Sequence, residues 1–159
     1  MRGFFEIGIE HLRYPQNIGT LWRSAYQLGA SGIFTVGQRA SLQTSDTCKA
    51  WRHIPLRCFE TLAALKDALP CSTPLIGIEM HGEPLETFNH PERACYLLGA
   101  EDHGLTREAQ RLCHYIVSLS AIRNDSYNVS VAGSIVMYHR QFSLKTPADT
   151  QRSAVCQKS

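Results

Sequence analysis

The sequence predicts an α/β domain built on a mostly parallel sheet with helices on both faces, and three observations carry that reading. Short apolar runs alternate along the chain with amphipathic segments, the pattern of repeated strand–helix–strand units. Three loops marked by glycine or asparagine sit where expected strands give way to helices, the positions at which open α/β sheets bind ligands. Apolar residues make up 43% of the chain and charged residues 19%, a balance that fits one domain with a substantial buried core.

In chain order, strands are expected over 4–9, 32–36, 74–78, 94–98 and 115–119. The first two are joined by a helix over 17–28, in which Ile18, Leu21, Trp22, Ala25 and Leu28 share one face, with Asn17 as its cap and Gly29 as its stop. A second helix spans 61–69 and is closed by Pro70. A short third follows Thr106, whose hydroxyl caps it, with Glu108 in the first turn. The last helix starts near Asn128 and carries Ala132, Ile135, Val136, His139 and Phe142 on one stripe. An irregular stretch rich in Ser, Thr, Arg and Lys occupies 38–51, and periodicity is lost near the C-terminus. The domain is therefore placed at 1–143, followed by a mobile tail over 144–159.

Composition excludes several classes. The 159 residues contain neither the charge excess of a disordered chain nor the unbroken apolar run of a membrane span. Glu6, Glu10 and His11 interrupt the region where a signal peptide needs apolar residues, so the chain reads as cytoplasmic. A net charge of +2 permits a polyanionic partner, provided that the positive charge is gathered on one face. The six cysteines form no C-x-x-C pair and no two histidines stand at helical ligand spacing, so no metal is expected.

The three loops carry the chemistry. In the first, Asn17-Ile18-Gly19-Thr20-Leu21-Trp22-Arg23, Arg23 extends from the helix with a planar donor fork suited to a phosphate oxygen; a plain cap and a solvated arginine explain the same residues. The second runs from Leu97 through Gly99, Glu101, Asp102 and Gly104 to Leu105. Gly99 allows close backbone approach to a ligand and Gly104 allows a tight turn. It lacks the lysine and the glycine spacing of phosphate-cradling loops, and its acids suit a cationic or neutral ligand. The third, from Asn124 to Ser134, offers the short polar groups of Ser126, Asn128 and Ser130 at the mouth of the last helix, followed by the small residues Ala132, Gly133 and Ser134.

Taken in this order, the set resembles the signature motifs of the SpoU/TrmH family of RNA 2′-O-ribose methyltransferases, within the SPOUT class. N-x-G-x-x-x-R stands at Asn17, Gly19 and Arg23; G-x-E-x-x-G-L at Gly99, Glu101, Gly104 and Leu105; and S-x-N-V-S-V-A at Ser126, Asn128, Val129, Ser130, Val131 and Ala132. The resemblance spans residues 4–142 and implies an α/β knot, with a C-terminal trefoil knot that no periodicity could indicate. It implies S-adenosylmethionine as cofactor, held by Ile78, Gly99, Ser118, Leu119 and Tyr127. One departure is the stretch Val117-Ser118-Leu119-Ser120, where many family members carry Ile-Pro-Met.

The implied reaction is methyl transfer to a ribose 2′-hydroxyl. Because arginine stays protonated, Arg23 is read as holding an RNA phosphate and positioning that hydroxyl, while Asn17 and Asn128 orient Arg23 and the ribose, Glu101 fixes the second loop and Ser126 supports the third. The short chain resembles the minimal, single-domain branch of the family that modifies the wobble nucleotide of certain tRNAs. That makes tRNA the leading substrate class, a homodimer the expected assembly, and Arg13, Arg39, Lys49, Arg52 and Arg57 candidates for RNA backbone contacts. The alternatives are an rRNA 2′-O-methyltransferase and a catalytically silent RNA-binding module of the same fold. A nucleotide-dependent metabolic enzyme on an ordinary doubly wound sheet is a more distant rival.

Overall fold

A computed structural model of the protein describes residues 3–37, 49–124 and 126–144. Strand β1 (Phe5–Glu10) is buried at every position, as a strand covered on both faces must be. It is followed by α1 (Gln16–Gln27), β2 (Gly32–Val36), β3 (Leu56–Phe59), α2 (Leu62–Ala68), β4 (Leu75–Pro84), β5 (Ala94–Leu98), α3 (Arg107–Leu112), β6 (Tyr115–Ser118) and α4 (Val129–Ser143). The strands form one sheet in the order β3-β2-β1-β5-β4-β6, with every neighbouring pair parallel.

Alternation along the strands divides the apolar residues between two cores. Phe5, Ile7 and Ile9 of β1 pack with Ala94, Tyr96 and Leu98 of β5 under α1 and α4, which contribute Ile18, Leu21, Trp22, Ala132 and Val136. The opposite face gathers Phe34, Val36, Cys95 and Leu97 under Leu62 and Leu65 of α2 and Ala109 of α3. On that second face β1 presents Glu6, Gly8 and Glu10. Glu6 pairs with Arg57, the Phe34 ring fills the space that a side chain at position 8 would need, and Glu10 accepts hydrogen bonds from Thr106 N at 2.9 Å and Thr106 Oγ1 at 2.6 Å.

Several details differ from the sequence expectation. β3 is an additional strand, and β4 continues six residues past its expected end at Ile78. The stripe expected on α4 is rotated: Val129, Ala132, Gly133, Val136, Met137 and Arg140 face the core, whereas Phe142 is exposed and Ile135 only partly buried. Residues 38–48 of the expected irregular stretch, Arg39 among them, lie outside the described residues, as does all of the expected tail except Leu144.

Arg140 is a buried cation on α4, and its Nη1 donates to Pro91 O at 2.6 Å and Tyr96 Oη at 3.2 Å, its Nη2 to Glu92 O at 2.6 Å. Beside it, His90 Nδ1 lies 2.6 Å from Tyr96 Oη and His90 Nε2 lies 2.9 Å from His139 Nδ1. Burial, reinforced by His139 and Arg140, lowers the His90 pKa from 6.5 to about 4. The folded chain therefore keeps His90 neutral in an interval where the unfolded chain protonates it. This contribution to stability is complete above the unfolded pKa and is lost as pH falls toward 4, by on the order of 3 kcal/mol in total. Urea denaturation across that interval is expected to give a shallower loss of stability for His90→Asn than for the parent; equal slopes would remove His90 as the cause.

Candidate functional site

In open parallel sheets, ligands sit beyond the carboxyl ends of the strands, near the point where strand order reverses. A cavity of about 320 Å³ lies there, at the ends of β4, β5 and β6. Ile78, Leu98, Leu119, Val129 and Ala132 give it apolar walls, and Glu79, Glu101 and Asp102 give it an acidic edge. Among the residues that the sequence nominated, Ile78, Gly99, Glu101, Leu119, Ser126 and Tyr127 all reach the wall.

The loop after β5 is shaped by two glycines. Ala100 N donates to Gly104 O at 3.0 Å and Gly104 N to Ala100 O at 2.9 Å, closing a small antiparallel bridge. Gly104 has φ +70°, which favours glycine. A Cβ on Gly99 would lie 2.1 Å from the Gly104 carbonyl carbon and 2.3 Å from Leu105 N. The Cβ side of Gly99 is thus filled by its own loop, while Gly99 also borders the cavity.

The third side of the loop is held by Glu79, which sequence reasoning missed. The register of β4 against β6 shifts between Ile78 and Glu83, both paired with Val117, so residues 79–82 bulge out. Glu79 Oε2 accepts from Leu105 N at 2.8 Å and its Oε1 from Met80 N at 2.9 Å. A carboxylate placed directly after an apolar strand is the only signal that pointed to it.

The first and third loops meet the second through a chain of side chains. Asn17 does not cap α1: the cap position is Pro15, without a side-chain bond. Asn17 lies inside the first turn, where its Nδ2 donates to Glu101 Oε1 at 2.6 Å and its Oδ1 accepts from Asn128 Nδ2 at 3.2 Å. Asn128 is the true cap of α4, its Oδ1 accepting from Ser130 N, Ser130 Oγ and Val131 N. Glu101 also accepts from Arg13 N at 3.1 Å, and Arg13 Nη1 pairs with Asp102 at 2.6 Å. Residues 84 and 111 positions away are thus bonded to Asn17.

Glu101→Gln is a direct test of this junction. An amide keeps the shape but turns one of the two acceptors into a donor facing Asn17 Nδ2 or Arg13 N. The expected cost is about 1–3 kcal/mol, with faster hydrogen exchange at the Arg13 amide. Unchanged exchange there would show that Glu101 does not hold the first loop.

Four nominated residues lie off the cavity wall: Asn17 and Asn128, which bond each other between the loops, Ser118 and Arg23. Ser118 Oγ donates to Gly82 O at 3.1 Å, tying β6 to the β4 bulge. Arg23 is exposed on α1. Tyr127, on the wall, is steadied by its hydroxyl, which donates to Ser120 O at 2.9 Å. Of the basic residues nominated for RNA contact, Arg13 and Arg57 are engaged by Asp102 and Glu6, whereas Lys49 and Arg52 are exposed. Among the described residues no three His, Cys, Asp or Glu side chains are grouped to hold a metal, and no helix is long and apolar enough to cross a membrane.

Comparison with known proteins gives a consistent picture. The sequence profile of the SpoU rRNA Methylase family matches residues 5–138. A protein of Archaeoglobus fulgidus, named an uncharacterized tRNA/rRNA methyltransferase, is 28% identical over 142 residues, covering 86% of this chain and 63% of that protein. A similarly named mycobacterial protein, from Mycobacterium ulcerans, is 26% identical and is covered to 44%. The chain thus spans less than two thirds of these curated relatives. The AdoMet-bound rRNA methyltransferase of Sinorhizobium meliloti superimposes with a TM-score of 0.80 at 25% identity, over 92% of this chain and 59% of that one. A structure described as giving insight into 2-OH methylation of C/U34 on tRNA superimposes with a TM-score of 0.76 at 22% identity, over 91% of this chain and 100% of that one.

Proposed function

The chain belongs to the SpoU rRNA Methylase family, and from that premise we propose that it transfers a methyl group from S-adenosylmethionine to a ribose 2′-hydroxyl of RNA in the cytoplasm. The observation that carries this reading is the meeting of three distant loops beside one cavity, whose wall the second and third supply, joined by the Glu101–Asn17–Asn128 chain. The leading substrate is tRNA at its wobble ribose, supported by the full-length match to the structure concerned with C/U34.

The cavity suits the cofactor. Its volume of about 320 Å³ falls in the range of small-molecule sites. Ile78, Leu98 and Leu119 offer flat apolar contact for an adenine, and Glu79, Glu101 and Asp102 complement a cation. S-adenosylmethionine, when bound, supplies an electrophilic methyl group on a positively charged sulfur. Gly99, Tyr127 and the backbone of the second loop hold it; Ser118 acts from behind through the β4 bulge.

Arg23 grips an RNA phosphate with its planar fork and sets the neighbouring O2′ in line for attack. The proton on O2′ passes to an oxygen of that phosphate, since the guanidinium has no lone pair to receive it. Asn17 and Asn128 fix the start of α1 and the start of α4 to each other, Glu101 locks α1 to the second loop through Asn17, and Ser126 supports the third loop at the cavity wall.

A homodimer is part of the same proposal. Ile135, Tyr138 and Phe142 of α4, with Leu28 and Leu85, border an apolar groove of about 800 Å³, and an apolar helix face of this kind suits a two-fold interface. The C-terminal trefoil knot belongs here as well: the segment after β6 brings Leu119, Ser126 and Tyr127 back to the loop that follows β5.

Mass-spectrometric mapping of methylated nucleosides in tRNA and rRNA, from cells with and without this protein, tests the substrate. Loss of one 2′-O-methylated tRNA nucleoside is expected. Loss in rRNA alone would move the substrate, and loss of a base methylation alone would overturn the ribose assignment.

A further inference from the structure

The chain's two tryptophans have opposite surroundings. Trp22 is 4% exposed and its Nε1 donates to Ile54 O at 3.0 Å, clamping the 3₁₀ turn at Ala50–Arg52 onto α1. Trp51, on that turn, is 43% exposed and takes no part in either core. The turn itself is rigid: Arg52 N, His53 N and Ile54 N all bond within it, and Ala50 is fully buried. A large indole held outward on fixed backbone is a prepared contact surface.

Its neighbours specify the chemistry. The Arg52 guanidinium lies 5.0 Å from the Trp51 ring centroid, within cation–π range. On α1, Tyr26 is 39% exposed and stacks on His53, with centroids 4.5 Å apart and planes 15° apart. Arg23 precedes Tyr26 by three residues and so shares its side of the helix. Charge is segregated here as well. α1 carries Arg23, and the stretch 49–59 carries Lys49, Arg52 and Arg57, the last paired with Glu6 of β1; neither α1 nor that stretch carries an acid. Exposed rings interleaved with cations, on two stretches that carry no acid of their own, match single-stranded nucleic acid, whose bases stack and whose phosphates pair with arginine.

We infer that Trp51, backed by Arg52 and flanked by the Tyr26–His53 stack, is a base-stacking platform that holds an unpaired nucleotide of the RNA substrate next to the ribose addressed by Arg23. The choice of RNA rests on the methyl-transfer reading above. The platform extends recognition beyond the three loops: it selects targets whose neighbouring base can leave a helix, as in a loop, and disfavours regular duplex.

The test uses Trp51→Leu, which removes the stacking ring, and Trp51→Phe, which retains one. Because Trp22 is buried, quenching of the parent's tryptophan fluorescence by a short oligouridine reports on Trp51, and fluorescence anisotropy of a dye-labelled oligouridine measures binding in the parent and both variants alike. Binding to that oligomer is expected to weaken about five- to a hundredfold in Trp51→Leu, to be largely kept in Trp51→Phe, and to be weak for an abasic oligomer of the same length. The KM for RNA from cells lacking the protein rises in parallel in Trp51→Leu, while affinity for S-adenosylmethionine stays at the parent value. Equal binding of oligouridine by Trp51→Leu and the parent, or no preference for oligouridine over the abasic oligomer, would overturn the platform. A parent that stacks oligouridine yet methylates no RNA sinks the methyl-transfer reading and leaves the platform standing; a parent and Trp51→Leu that methylate RNA with the same KM do the reverse.

Discussion

Arg23→Ala is expected to lose methyl transfer by on the order of a hundred- to a thousandfold while binding S-adenosylmethionine as tightly as the parent. Arg23 is exposed on α1 and is not part of the cavity wall, so its removal leaves the cofactor's contacts in place. What goes is the alignment of ribose and phosphate, and loss of alignment of about an ångström is enough for effects of this size. Arg23→Lys separates charge from shape: lysine keeps the positive charge but not the fork, so an intermediate rate is expected if two phosphate oxygens are gripped together. Single-turnover rates with saturating RNA, alongside calorimetry with the cofactor, separate the two effects. A parental rate in Arg23→Ala would remove the residue from the reaction.

Gly99→Ala is expected to damage the cofactor site itself. The added methyl would overlap backbone atoms of Gly104 and Leu105 at 2.1–2.5 Å, and these atoms belong to the bridge that closes the second loop. No flexible side chain is available to move aside, so the loop must open. Overpacking of this kind costs about 1–3 kcal/mol or more. Displacement of the cavity wall is expected to weaken cofactor binding by on the order of a hundredfold. Thermal unfolding and calorimetry on the same preparation check both parts. A Gly99→Ala protein with parental stability and affinity would mean that the loop is not built as described.

Much of the fold was legible because burial on both faces leaves a simple trace. β2 and β5 are short runs in which nearly all residues are apolar or small, β1 is so apart from Glu6 and Glu10, and α1 carries one continuous apolar face. The failures have equally physical causes. β3 reads Leu-Arg-Cys-Phe and is an edge strand of intermediate exposure, so it has no apolar run to announce it. The outer part of β4, Glu79 to Pro84, is polar because it leaves the core and bulges toward the cavity. On α4 apolar residues cover two faces, one against the sheet and one along the groove. Periodicity alone cannot say which face is inside, and the stripe through Ile135 and Phe142 selected residues from the outer one.

The site divides in the same way. Residue types were legible, because Asn17, Gly99, Glu101, Ser126 and Asn128 belong to motifs of limited composition. Contacts were not. Asn17 stands where a cap would stand, and only the position of Glu101 shows that its amide bridges loops instead. Gly99 reaches the cavity wall, but the atoms that demand a glycine there come from its own loop, which the motif could not show. Glu79 gave no motif at all, since its purpose depends on the turn at Gly104, twenty-five residues further on. Long-range hydrogen bonds of this sort are fixed by topology, and no local pattern encodes them.

The most direct test of the central claim is transfer of a labelled methyl group from S-adenosylmethionine to RNA, followed by alkaline digestion. Alkali cleaves RNA through attack of the free 2′-hydroxyl on the adjacent phosphate, so a methyl on that oxygen protects one linkage. The expected result is label in an alkali-resistant dinucleotide, formed by the parent and lost in Arg23→Ala. Label confined to alkali-released mononucleotides would place the methyl on a base and contradict the ribose site at the meeting point of the three loops.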